Sequence, residues 1–381
     1  PVLQSQVLDR IRVQSEHGIS IGLVAAAAVE EHFRKTIVPV LDAAGVKRKI
    51  LSGDNLASIL ARSVKSVRAL RKEYGGRSVY VRGMLGAIVH AIAFPVGGPR
   101  LVYDFRGDGV AESEYRGRGK FRRTIIDLLV RLSLCRASAI SCVSNGAASV
   151  LADRYGRHEV SVIPSCVDFD RIGFNPETRN AVRKELDLQP TDIVLAYIGG
   201  VSRYQQIPQM LQAWRTLSKD NDLKFLLLTN NTPTPDGAAP EKNEAPAGTI
   251  IRRGLSRDEV TNYMMAADVG FMLRESHPLN SVASPVKFAE YLSAGLAVVT
   301  SPGLGDVSSL IVDRSLGVLV DPDDETDIVD KSRELLSSIR SDRDAFRQRS
   351  INAVRELLDW KAHLSTWRDL LDLPDAAEHG Q

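Results

Sequence analysis

Short unbroken apolar runs, each followed by an amphipathic stretch with helical spacing, recur along nearly the whole of this chain. Runs of that kind suit strands buried on both faces, and the stretches between them supply the covering helices. The pattern therefore predicts an α/β protein of parallel sheets wound with helices on both sides. In the first half the runs are ISIGLVA (19–25), KRKIL (47–51), RSVYV (77–81), RLVYDF (100–105), AISCVS (139–144) and VSVIP (160–164). In the second they are DIVLAYIGG (192–200), LKFLLLTN (223–230), TIIRRG (249–254), ADVGFML (267–273), LAVVTS (296–301) and GVLV (317–320). Two sets of six predict two doubly wound, Rossmann-like domains, residues 1–170 and 171–356, facing each other across a cleft. The join is expected near SCVDFDRIGFNP (165–176), and a helix at about 357–374, striped by Trp360, Leu364, Trp367, Leu370 and Leu371, is expected to pack back on the first domain. Residues 230–247, rich in Pro, Ala and Asn, read as a surface loop.

A chain of 381 residues, 44% hydrophobic, has enough apolar surface for two cores. Cys135, Cys142 and Cys166 have neither disulfide nor zinc spacing and read as buried thiols of a reducing, cytoplasmic compartment. The apolar run at 84–96 is too short to span a bilayer and reads as a buried helix. The net charge of +2 conceals an asymmetry. Residues 1–165 hold 25 basic and 14 acidic side chains, +11, and the remainder holds 24 and 33, −9. Something anionic is expected to meet the first half. Its densest cluster is YRGRGKFRR (115–123), with Arg116, Arg118, Lys120, Arg122 and Arg123, followed by the apolar positions Ile125, Ile126, Leu128, Leu129 and Leu132. That cluster suits a peripheral anionic membrane surface or a lipid-linked diphosphate, with a solvated helix start as the other reading. No nucleic-acid partner is expected, since interleaved aromatics and a known module are lacking.

SPVKFAEYLSAGLAVVTSPGLGD (284–306) is the most informative segment for chemistry. Ser284 as N-cap and Pro285 as first residue predict a helix to Ala294, closed by Gly295. The free amides of Val286 and Lys287, with the Lys287 charge, would then face an anion such as a diphosphate. Glu290 lies six residues beyond that cap, ~9 Å at the α-helical rise, a reach that suits a carboxylate gripping a ribose diol. The other reading of these residues is an ordinary helix start with a carboxylate complementing its dipole. Gly199 and Gly200 would let backbone approach a phosphate, with Arg203 beside them, or form an ordinary turn. Thr229, Asn230 and Asn231 end a neighbouring strand, and Arg252 and Arg253 could lie against a base or in a solvated loop. In the first half Asp104, Arg106 and Glu112 are expected at an acceptor or the transferring sugar, with an internal Asp–Arg pair as the other possibility. His90 and His277 read as structural.

The 284–306 segment resembles the donor site of GT-B fold retaining glycosyltransferases of family four, where a Glu at the position of Glu290 binds the nucleotide ribose. YIGGVSRYQQIPQMLQAW (197–214) resembles that family's glycine turn, and IIRRGLSRDEVTNYMMAADVGFML (250–273) the segment whose loop touches the base. VYDFRGDGVAESE (102–114), ISCVSNGAASVLADRYG (140–156) and VIPSCVDFDRIGF (162–174) resemble its N-terminal domain and hinge. The resemblance implies sugar transfer from a UDP- or GDP-type donor to a glycan or lipid-linked acceptor, with retention and without a metal or separate cofactor. Lys287 and Arg203 would stabilise the leaving diphosphate, and the family's first strand would precede residue 1. Three positions depart from the family. Val282 stands where a second Glu is usual, Gly200 and Gln205 where an Arg and a Lys hold the diphosphate, and Tyr103-Asp104 where a His is common. A sugar-nucleotide epimerase or hydrolase of the same fold, or a non-catalytic sugar-nucleotide-binding scaffold, stays open.

Overall fold

A computed structural model describes residues 4–26, 38–51, 55–200, 203–220, 222–229 and 245–374. The chain divides into two compact units: Pro1–Asp168 with Trp360–Gln381, and Phe169–Asp359. Every predicted run becomes a strand, and all strand pairs are parallel.

In the first unit β1 (Gly22–Ala26) pairs with β2 (Lys47–Leu51). The strands β3 (Ser78–Arg82), β4 (Arg100–Phe105), β5 (Ala139–Cys142) and β6 (Ser161–Val162) form a separate sheet in that order. The single six-stranded sheet expected here is thus two sheets among the described residues. The helical segment Gln4–Glu16 touches both. Val7, Leu8 and Ile11 pack with Leu41 and Val46 beside β1 and β2, while Arg10 lies over the rings of Tyr80, on β3, and Trp367. The end of the chain belongs to this unit as well. Trp360 and Trp367 are buried with Val13, Val102 and Ile163, and Trp360 N–H donates to Val167 O at 3.0 Å.

Two apolar assignments are corrected. Helix Met84–Ala93 buries Ala87, Val89 and Ala93 but leaves Leu85 and Ile92 about half exposed. Cys142 and Cys166 are buried, whereas Cys135 is exposed on the outer side of helix Lys120–Arg136. In both helices the turns facing the sheet bury their apolar residues, and the outward turns carry apolar residues too.

In the second unit β7 (Ile193–Gly199), β8 (Leu223–Thr229), β9 (Thr249–Arg253), β10 (Val269–Met272), β11 (Ala297–Thr300) and β12 (Gly317–Leu319) form one sheet, ordered β12-β11-β10-β7-β8-β9. That is the doubly wound order, which reverses direction between β7 and β10 and opens a crevice at their carboxyl ends. β7 is buried from Ile193 to Ile198, as a central strand covered on both faces must be. At the opposite edge Asp268, just before β10, is a fully buried clamp. It accepts from Arg179 Nη2 at 2.6 Å and from Val194 N–H at 3.0 Å, with Arg183 at 3.6 Å and Arg343 at 3.4 Å.

Candidate functional site

The crevice is built where β7 and β10 part. They pair only through Val269–Leu195 and Gly270–Ala196. Beyond that point the Tyr291 hydroxyl joins them, accepting from Ile198 N–H and donating to Phe271 O, each at 3.1 Å. Tyr291 belongs to helix Val286–Ser293, so this bridge fixes the helix over the switch point. It fits only because residue 270 has no side chain: a Cβ there would overlap the Tyr291 ring. Gly270→Ala is therefore expected to cost about 1–3 kcal/mol, as overpacking does. Urea midpoints at unchanged m-value would measure it, and a cost near zero would mean that Tyr291 moves freely.

That helix begins one residue later than its sequence suggests. Pro285 occupies the cap position, with φ −72° and ψ 122°, and no side chain caps the turn, so Ser284 is not the cap. An extended Pro285 closes the first bond itself, its carbonyl accepting from Phe288 N–H at 3.0 Å. The amides of Val286 and Lys287 precede that bond and remain at the open end. Glu290 is consequently five residues from the cap, ~7.5 Å along the axis. It is half-buried, three residues from Lys287 on the same face.

Lys287 Nζ donates to Gln205 Oε1 at 2.5 Å and to the Tyr197 hydroxyl at 3.1 Å, and it lies 4.3 Å from the Tyr197 ring centre. Its tip fills the space beside Gly199, whose φ is +134° and where a Cβ would come within 2.5 Å of Nζ. In this structure Gly199 makes room for the lysine. Gly200 has open space around it, and its carbonyl accepts from the Tyr197 hydroxyl. That hydroxyl has one proton, so it donates either there or to Gln205 Oε1 at 2.6 Å.

The sequence reading missed Arg274. It lies two residues beyond the end of β10, is 7% exposed, and donates from Nη1 to Gln205 Oε1 at 3.2 Å and to Leu273 O at 3.0 Å. Its guanidinium lies 5.3 Å from the Tyr204 ring centre, and its backbone N–H donates to Ser301 Oγ at 2.9 Å. A charged residue at the carboxyl end of a central strand beside the switch point was a usable signal. Gln205, read only as a departure from a lysine, is buried at the centre of the cluster.

Distances of 2.5 and 3.2 Å to one oxygen place the Lys287 and Arg274 nitrogens within about 6 Å of each other. At an effective dielectric of about 20, two unit charges at ~6 Å repel by roughly 3 kcal/mol. Neither forms an ion pair among the described residues. Burial holds Lys287 well below the usual lysine range, Arg274 pushes it further down, and Glu290 pulls it up. Burial also lowers Arg274. Two converging cations, hydrogen-bonded to an amide oxygen, a phenol and one backbone carbonyl and without an ion pair among the described residues, form a site suited to a dianion.

The other expected residues are distributed unevenly. Thr229 ends β8 opposite Gly199, buried, with Oγ1 lacking a hydrogen-bond partner among the described residues. Arg203 opens a short 3-10 turn, Arg203–Gln205, and its side chain lies outside the described residues, as do Asn230 and Asn231. Arg252 and Arg253 lie within edge strand β9 rather than in a loop. Arg252 sits 5.9 Å from the Tyr263 ring centre, which occupies its planar face, and Arg253 is half-buried. Val282 is buried, at 2% exposure, where a carboxylate would lose its hydration.

In the first unit Asp104 and Arg106 lie together as an internal pair, the second of the two readings given for them. Asp104, 1% exposed, lies 3.7 Å from both Arg82 Nε and Arg106 Nε and accepts from Ser141 Oγ at 3.3 Å. Arg106 also donates to Gln6 Oε1 at 2.9 Å and Ser165 Oγ at 3.2 Å. Burial first, then Arg106, brings Arg82 down to about 10. Glu112 is exposed and paired with Arg116 at 2.5 Å, a surface pair of i,i+4 type. His90 donates from Nε2 to Pro99 O at 3.0 Å, and His277 Nδ1 accepts from Leu279 N–H at 3.1 Å, so both brace the backbone.

Residues 192–338 match the family model described as glycosyl transferases group 1. The putative teichuronic acid biosynthesis glycosyltransferase TuaH of Bacillus subtilis (strain 168) is 27% identical over 183 residues, 47% of this chain. The match spans 44% of TuaH, less than half of that protein. Among solved structures, sucrose-phosphate synthase from Thermosynechococcus elongatus superposes with a TM-score of 0.70 at 14% identity, over 93% of this chain and 98% of that one. Anabaena HepE in complex with UDP-glucose gives 0.71 at 13% identity, over 96% and 95%. At such identities the likeness is one of fold. The chain has the GT-B fold, and residues 192–338, in its second unit, are similar to the glycosyl transferases group 1 family. No helix among the described residues is long and apolar enough to cross a membrane.

Proposed function

From that fold and that domain, we propose that the protein is a retaining glycosyltransferase of the family-four kind. It takes a sugar from a UDP- or GDP-type donor and passes it to a glycan or lipid-linked acceptor. The observation that carries this reading is the convergence of Lys287 and Arg274 on Gln205 Oε1 at the strand switch point. A bound diphosphate replaces mutual repulsion between the cations with charge-assisted hydrogen bonds. Cleavage of the sugar–phosphate bond develops charge on the leaving oxygen, and donors fixed beforehand stabilise it as it forms. These two side chains and the amides of Val286 and Lys287 supply the electrostatic role that a metal ion plays elsewhere. Glu290, further along the same helix, accepts from the ribose hydroxyls. Anabaena HepE, which shares the fold, forms a complex with UDP-glucose, and this supports a sugar-nucleotide reading here.

A thermal-shift panel of nucleoside diphosphates tests the proposal. A ligand at a hundred times its dissociation constant adds about 2.7 kcal/mol of stability. UDP or GDP is expected to raise Tm, and Glu290→Ala to remove that rise while leaving the unliganded Tm near its starting value. Protection by neither nucleotide would refute the reading. Sugar released at the full rate without an acceptor would favour a hydrolase.

A further inference from the structure

We propose that helices Met84–Ala93 and Lys120–Arg136 form a face that docks on an anionic phospholipid bilayer. Phe121, Ile125, Leu128, Leu132 and Cys135 are spaced by four, three, four and three residues, which places them on one stripe of the second helix. All five are exposed, Phe121 at 81% and Leu128 and Leu132 at 54% each. The core face of this helix is a separate one, formed by Val130, Ser133 and Leu134. The helix is thus apolar on two opposite sides, and only one is covered by the protein. Leu85 and Ile92, two turns apart on the neighbouring helix, are 52% and 51% exposed. A cavity of about 600 Å³ lies beside these helices, with Leu85, Phe121 and Ile125 among its apolar walls and Arg118, Arg122 and the Glu112–Arg116 pair among its polar ones.

Charge selects the occupant. Within 112–123, Arg116 pairs with Glu112 and Arg123 with Glu114. Arg118, Lys120 and Arg122 have no carboxylate partner among the described residues. Three unanswered cations beside an apolar stripe would repel a second copy of the same face. They match phosphate headgroups lying above acyl chains. The cavity offers guanidinium groups and apolar walls together, the chemistry of one anionic headgroup with its first methylenes. This inference does not rest on the donor-site reading, because vesicle binding is read without nucleotide.

The test is flotation with vesicles of phosphatidylcholine alone and of phosphatidylcholine mixed with phosphatidylglycerol. The protein is expected to float with the mixed vesicles only, less so as salt rises. Arg118→Ala, Lys120→Ala and Arg122→Ala together should weaken binding about a hundredfold, at about fivefold per cation. Phe121→Ser, Leu128→Ser and Leu132→Ser together should weaken it at least tenfold. Leu85→Ser with Ile92→Ser provides an independent variant on the other helix. All the replaced side chains are at the surface, and an unchanged Tm shows that each variant is folded. Equal binding to both vesicle types, binding to neither, or a dimer that the serine triple converts to monomer would each overturn the proposal.

Discussion

Lys287→Met is expected to lower sugar transfer by about 10²–10³-fold, the usual cost of removing one preorganised donor from developing charge. Nucleoside diphosphate should bind more weakly as well, since Lys287 is one of two cations aimed at the same oxygen. Methionine keeps most of the length and apolar bulk beside Tyr197 and Gly199, so the loss reports charge rather than packing. A pH signature separates this from a structural defect. In the free protein burial and Arg274 hold Lys287 well below the usual lysine range. A bound diphosphate raises its pKa, so binding takes up a proton at pH values between the lowered value of the free protein and the raised value of the complex. Wild-type affinity is therefore flat below that value and weakens as pH rises through it, and Lys287→Met loses this dependence. Titration calorimetry in buffers of different ionisation enthalpy would show the uptake. Its absence in the wild type would mean that the lysine does not meet the anion. Stability of the unliganded protein has the matching sign. Between the lowered pKa and the ordinary one the unfolded chain holds more protons, so stability rises with pH across that window.

The largest effect on stability is expected at the other end of the same sheet. Asp268 carries the only carboxylate within ion-pair distance of Arg179 among the described residues, and Arg183 and Arg343 also lean on it. Arg179 Nη1 meanwhile donates to Met265 O at 2.9 Å and Ala267 O at 2.7 Å, which ties helix Pro176–Glu185 to the chain entering β10. Asp268→Ala leaves buried guanidinium groups without their counter-charge and Val194 N–H without its acceptor. Breaking a buried pair in this way costs about 3–5 kcal/mol. Equilibrium unfolding in urea would measure it, and a loss below about 1 kcal/mol would mean that water reaches the clamp.

These two residues also show how far the sequence could be read. The twelve strands were legible because a strand buried on both faces leaves an unbroken apolar run, and Ile193–Ile198 or Leu223–Leu228 can hardly be anything else. Lys287 and Glu290 were legible because helix starts carry local chemistry, although the start itself lies at Pro285 rather than Ser284. Asp104 and Arg106 stayed open to two readings because a charged residue at a strand end has two outcomes, facing solvent or pairing inside, and spacing does not distinguish them. Gln205 and Arg274 are separated by 69 residues, and nothing local marks them as partners.

The sequence by itself determined the α/β class, the division into two units and the helix that begins the candidate site, since each follows from interactions among residues near in the chain. The tertiary structure decided which charges meet. Only the β7–β10 reversal brings Lys287 and Arg274 to one oxygen, and only the absence of a side chain at Gly199 and Gly270 lets Lys287 and Tyr291 approach so closely. It also decided that Asp104 turns inward and that the stripe through Leu128 stays uncovered. Periodicity marks a position as apolar, but whether anything covers it depends on neighbours distant in sequence.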